Sequence, residues 1–102
     1  MNYNLKPMEQ PIIDPISLDL IKAELTPAKK LRDTNKSGNE IYVLNHHDSP
    51  NIMKEIGRLR EEAFRDSGGG SGLSMDIDEF DTMENPYQQL IVWDPKAEKI
   101  LG

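Results

Sequence analysis

Residues 50–66 constrain the fold more than any other stretch, because apolar side chains recur there at helical spacing with one arginine among them. At about 100° per residue, Ile52, Met53, Ile56, Leu59, Ala63 and Phe64 fall within an arc of roughly 140°. Lys54, Glu55, Arg58, Glu61, Glu62 and Arg65 fall on the opposite side. Arg60 does not: it projects between Ile56 and Phe64, inside the apolar arc. The pattern predicts an amphipathic helix from Pro50 to about Asp66 whose apolar face packs on a core. A guanidinium on that face either snorkels to water or meets carboxylates, since burying it unpaired costs several kcal/mol.

Carboxylates follow soon after. Asp76, Asp78, Glu79 and Asp81 crowd around Ile77 and Phe80. A calcium loop starting at Asp76 would need an oxygen ligand at its fifth position, glycine at its sixth and glutamate at its twelfth. The chain has Phe80, Asp81 and Tyr87 there, which excludes it. Two readings stay open: an exposed acidic edge, or a cluster facing Arg60 that holds an amine or amino acid. In the second, arginine takes a substrate carboxylate through two parallel hydrogen bonds. The aspartates attract the ammonium group, and one can help remove the proton that must leave before nitrogen attacks a thioester.

The rest of the chain supplies a scaffold. Pro7, Pro11 and Pro15 predict an extended arm over residues 1–15. Ser17 reads as a helix cap, with Ile16 and Ile21 at staple positions and a stripe of Leu18, Ile21 and Leu25. Thr26-Pro27 predicts a second helix running to about Asp33. A turn over Asn35–Asn39 precedes a strand at Glu40–Leu44, and Asn45–Ser49 is a polar connection. Ser67–Ser74 is a Gly/Ser loop. Tyr87–Trp93 reads as a strand buried on both faces, followed by a turn at Asp94-Pro95 and a partner strand from Lys99 to Gly102. That last strand stops after about four residues, short of the usual five or six, so the chain is expected to be part of a longer one.

Composition narrows the chemistry. Without cysteine there is no disulfide, thiolate metal site or Cys nucleophile. Up to Ser37 six basic residues face five acidic ones; from Gly38 onward six face thirteen, a balance that repels phosphate backbones and argues against nucleic acid. The longest fully apolar run, Leu90–Trp93, falls far short of the roughly 20 residues of a membrane helix. No signal peptide is legible, so a cytoplasmic location is expected. The basic cluster Lys29, Lys30, Arg32 and Lys36 reads as a solvated helix face, or as a face for an anionic membrane or an acidic carrier protein.

Two further motifs carry little. Arg65, Gly68 and Gly70 match an Arg-x-x-Gly-x-Gly pyrophosphate spacing, but follow a helix instead of opening one. His46-His47 has only Asp48 nearby as another metal ligand, where zinc wants three or four. No metal site is expected.

The order Arg60-x-x-x-Phe64, Asp76-x-Asp78-x-Phe80-Asp81 and then a hydrophobic strand resembles the N-terminal part of GNAT-like N-acyltransferases. These include acyl-homoserine-lactone synthases and the bacterial enzymes that begin ornithine-lipid and glycine-lipid synthesis. Gly38-Asn39-Glu40-Ile41-Tyr42, Asn45-His46-His47 and Arg58-Leu59-Arg60-Glu61 are most similar to the aminolipid branch, often labelled haemolysin. The resemblance spans about residues 15–102. It departs from the pattern where homoserine-lactone synthases carry a tryptophan between the Phe and the acidic motif, and where Gln88 and Gln89 stand in place of a histidine some aminolipid enzymes have.

The resemblance implies an α/β fold, with helices on one side of a short mixed or antiparallel sheet, and residues 16–102 forming the N-terminal half of a GNAT-like domain. It implies transfer of a fatty acyl chain from an acyl carrier protein thioester to the nitrogen of a small amino acid, glycine or ornithine, with no covalently bound cofactor. Arg60, Phe64 and Asp76 would bind the amino substrate, and Asp78 and Asp81 would be catalytic. By the same analogy this stretch alone is expected to be inert, and peripheral contact with the inner membrane face would run through the basic cluster. A non-catalytic module using Arg60 and Asp76–Asp81 to bind a small ligand or protein is the alternative, and a purely structural role, with Arg60 exposed and the aspartates solvated, is a third.

Overall fold

The computed structural model describes residues 11–34, 37–68, 75, 77, 81 and 83–101. Among the described residues, two α-helices, α1 (Leu18–Glu24) and α2 (Pro50–Asp66), accompany four strands: β1 (Lys30–Asp33), β2 (Glu40–Leu44), β3 (Gln89–Asp94) and β4 (Lys99–Ile100). The strands form one antiparallel sheet in the order β1-β2-β3-β4. The fold is thus α/β with an antiparallel sheet. Asp76 and Asp78, like Glu79, Phe80 and Lys36, lie outside the described residues.

Alternation decides which face of the sheet is core. Tyr42 pairs with Ile91, Glu40 with Trp93 and Leu44 with Gln89, so these six side chains share one face. Tyr42, Leu44, Ile91 and Trp93 are buried there in one cluster with Ile21 of α1 and Ile52, Met53 and Ile56 of α2. Leu44, Ile52 and Met53 are fully inaccessible. The apolar arc of α2 therefore faces the sheet over its N-terminal half. At its C-terminal end Phe64 is 49% exposed, and the arc runs out past its cover.

The segment after Pro27 departs from expectation. Pro27–Lys29 makes only a 3-10 turn, and Lys30–Asp33 is a strand instead of the rest of a helix. Pairing with β2 supplies backbone partners a lone short helix would lack, so tertiary context overrides local propensity. Gly38, at φ 73°, lies in the connection that turns the chain back, and the Thr34 amide donates to the Asn39 carbonyl. The basic cluster consequently has no helix face. Lys29 donates to the carbonyls of Glu24 and Asp48, and Lys30 pairs with Asp33 at 2.7 Å and Glu40 at 3.3 Å.

Other details also differ. Leu18 is exposed, so only Ile21 and Leu25 of the expected α1 stripe reach the core. Ser17 precedes α1 but makes no side-chain capping bond. β3 is buried on one face only: Leu90, on the other, is 61% exposed. Glu55 and Glu61, read as polar-face residues, are buried. Glu55 takes two bonds from Arg58, at 2.7 and 2.6 Å, and one from the Ile16 amide, while Arg65 Nε reaches Glu61 at 2.6 Å. The hydrogen bond to Glu55, ahead of the nearby charges, raises the Arg58 pKa above its ordinary value. Paired charge lets carboxylates sit where periodicity alone predicts solvent. No helix among the described residues is long and apolar enough to cross a membrane.

One buried group makes the fold sensitive to alkali. Burial, and then the hydrogen bond from its hydroxyl to Glu40 at 2.8 Å, push the Tyr42 phenol up to about 12. The unfolded phenol ionises near 10, so the unfolded chain releases its proton first and stability falls as pH rises from about 10 to about 12. Urea titrations across that range should show the loss, and Tyr42→Phe should flatten it.

Candidate functional site

The arginine on the apolar side of α2 points at the start of β3. Arg60 Nη1 lies 3.3 Å from Asp81 Oδ2, and Nη2 donates to Gln89 Oε1 at 2.9 Å. Gln89 closes the ring by donating through Nε2 to Asp81 Oδ1 at 3.2 Å. Asp81 is 6% exposed, whereas the Arg60 side chain is 30% exposed. The carboxylate is thus sealed in, while the arginine side chain is partly exposed. Of the two fates for Arg60, the internal ion pair is the one the fold adopts, and the structural reading that kept it apart from the aspartates does not hold for Asp81.

Gln89 is the member that sequence reasoning did not place here. The signal was present: Gln89, Ile91 and Trp93 occupy alternate positions and so share the core face. A glutamine in line with two core residues needs partners for its amide. Arg60 and Asp81 supply one each.

Beside this cluster runs a groove of about 580 Å³ between the second half of α2 and β3–β4. Its walls are mostly apolar, among them Leu59, Phe64, Leu90, Ile100 and Leu101, with Arg60, Gln89, Glu62 and Asp66 contributing the polar portion. Phe64, expected at the substrate, lies in this wall with Arg60. β4 pairs only with Trp93 and Asp94, so among the described residues no strand flanks Gln89–Ile91 on that side.

Besides Asp81, the acidic segment meets α2 at Gly57. A Cβ added at Gly57 would lie 2.7 Å from Ile77 Cγ1, 3.0 Å from its Cδ1 and 3.2 Å from Met75 Cβ. Glycine inside a helix costs about 1 kcal/mol relative to alanine; here its missing side chain is the space in which Ile77 sits. Gly57→Ala should therefore gain helix propensity and lose that contact. The expected outcome is a stability change within about 1 kcal/mol together with displaced amide resonances at Met75, Ile77 and Asp81. Unmoved resonances at Ile77 would show that the contact is not made.

The remaining motifs do not join the site. His46 and His47 lie in a turn, with His47 Nε2 at 2.9 Å from the Met83 carbonyl. No group of three metal-ligating side chains occurs among the described residues. Arg65 of the glycine motif is held by Glu61.

Comparison with known proteins gives two strong matches. The chain is 67% identical over 91 residues to a glycine N(alpha)-acyltransferase of Bacteroides thetaiotaomicron, covering 89% of this chain and 27% of that protein. It is 68% identical over 91 residues to a glycine N(alpha)-acyltransferase of Phocaeicola vulgatus, covering 89% of this chain and 28% of that protein. The chain thus spans little more than a quarter of the length of the curated relatives it matches. No protein-family profile and no solved structure matches it.

Proposed function

We propose that this chain supplies the amino-acid side of an N-acyltransferase site, with glycine as the acceptor. The observation that carries the reading is the Arg60–Asp81–Gln89 ring at the mouth of an apolar groove. The names of the two relatives support the reaction and favour glycine over ornithine. Their greater length is consistent with a catalytic site that needs more polypeptide than this stretch provides.

In this reading the Arg60 guanidinium meets the glycine carboxylate, an arrangement suited to two parallel charge-assisted hydrogen bonds. Asp81, buried with both oxygens engaged, orients Arg60; its burial fits that role better than contact with an incoming ammonium ion. Gln89 fixes the angle between the two. The amine's proton is assigned to a carboxylate of the acidic segment, Asp78 first and Asp76 as a charge partner. The neutral amine then attacks the acyl thioester carbonyl, the amide C–N bond forms, and the thiol leaves. An acyl carrier protein is the proposed donor and aminolipid synthesis the proposed setting, as the GNAT-like resemblance implies, with a cytoplasmic location at the inner membrane face.

A titration of the chain with glycine, followed by NMR, tests the acceptor site. The Gln89 side-chain amide and the Arg60 Nε–H resonances should shift with glycine and not with methylamine, which lacks the carboxylate. Equal responses to both would remove Arg60 from substrate binding.

A further inference from the structure

The sheet has a second apolar face. Ile41 pairs with Val92 and Val43 with Leu90, so these four side chains form one patch on the side away from α1 and α2. Leu101, whose amide donates to the Val92 carbonyl at 2.8 Å, extends the patch past the end of β4. None of the five belongs to the core cluster, and Leu90 and Leu101 are 61% and 48% exposed. We infer that this face, with the free edge of β3 at Leu90, is an internal docking surface for the remaining polypeptide of a longer acyltransferase, which adds a strand beside Leu90 and covers the patch. The inference does not depend on glycine being the acceptor.

Three observations carry it. A continuous apolar run is the pattern of a strand covered on both faces, and Ile41–Leu44 and Leu90–Trp93 are two such runs, paired with each other. Their outer halves stay uncovered among the described residues, as a contiguous apolar patch of the kind that marks an interaction surface. The edge has the same address. Backbone groups of successive residues in an antiparallel strand turn to alternate neighbours. Val92 is bonded toward β4, so Leu90 turns its N–H and C=O the same way, where no described residue pairs with them. An open edge of this kind is a template for a further strand. Finally, nearly three quarters of the B. thetaiotaomicron relative lies outside the matched 91 residues, enough to supply both the strand and the cover.

Hydrogen exchange tests it, comparing the 102-residue chain with a chimera in which residues 11–101 replace the matched segment of the B. thetaiotaomicron relative. The Leu90 amide should exchange on the order of a hundredfold more slowly in the chimera, because a free edge amide opens at almost no cost and a paired one opens with the sheet. Leu90→Lys and Leu101→Lys alter exposed side chains, so the melting temperature of the 102-residue chain should hardly move. In the chimera each should lower it by about 4 °C or more. Leu20→Lys, equally exposed but on α1, should leave both proteins unchanged. Equal exchange of Leu90 in the two proteins would overturn the inference, as would equal effects of Leu90→Lys on both. So would sedimentation showing the 102-residue chain to be a dimer that Leu90→Lys dissociates, which would assign the face to a second copy. Where the chimera does not fold, exchange in the unaltered relative, read at the position aligned with Leu90, decides by the same criterion.

Discussion

Arg60→Leu is expected to abolish recognition of glycine and to destabilise the fold by about 1–3 kcal/mol. Breaking a buried ion pair by removing one partner typically costs 3–5 kcal/mol, because the other charge is left uncompensated. Arg60 is 30% exposed, so solvent screens part of that cost and the lower figure applies. Asp81, at 6% exposure, would lose its ion pair with Arg60 and keep the amide of Gln89. The double variant Arg60→Leu/Asp81→Leu should recover part of the stability and none of the binding. Urea unfolding and the glycine titration measure the two effects separately, and a double variant that regained binding would show that the pair is not the recognition element.

Glu24→Ala should be strongly destabilising although remote from the site, by about 2–3 kcal/mol, since hydrogen bonds to charged groups contribute about 1.5–3 kcal/mol. The first turn of α2 leaves amide donors without intrahelical partners. Ser49, at the cap position, makes no side-chain capping bond. Glu24, from α1, does the work instead: Oε1 accepts from the Ile52 amide at 2.8 Å, and Oε2 from the Asn51 amide and side chain at 3.0 and 2.9 Å. Its negative charge also lies at the positive end of the helix dipole. The same residue therefore joins α1 to α2 and fixes where α2 begins. Glu24→Gln retains one acceptor and should lose less than Glu24→Ala. Thermal unfolding of the two variants checks the order.

Helix α2 and strand β2 were legible, α2 because it follows one period over its whole length and β2 because β-branched and aromatic residues are bounded by turn residues. The segment from Pro27 to Asp33 was not. Its strand exists only through pairing with β2, a contact that local pattern does not encode. The run Leu90–Trp93 is apolar throughout, so it concealed that only Ile91 and Trp93 face the core. In the site, Arg60 stood out by breaking an apolar arc. Gln89 did not, because its meaning depends on a register with Leu44 and on a partner twenty-nine residues away. Glu55 and Glu61 were missed for a related reason: helical phase says which way a side chain leaves the axis, not whether an arginine waits to cover it.

The central claim, that this stretch serves acyl transfer to glycine, is tested most directly in a chimera. Residues 11–101 of this chain would replace the equivalent segment of the B. thetaiotaomicron relative, and products would be analysed by mass spectrometry with glycine and ornithine supplied together with an acyl-thioester donor. The account predicts that the chimera makes N-acylglycine in preference to N-acylornithine, and that Arg60→Leu removes the activity. A folded chimera that makes no N-acylglycine, or one in which Arg60→Leu is fully active, would contradict it.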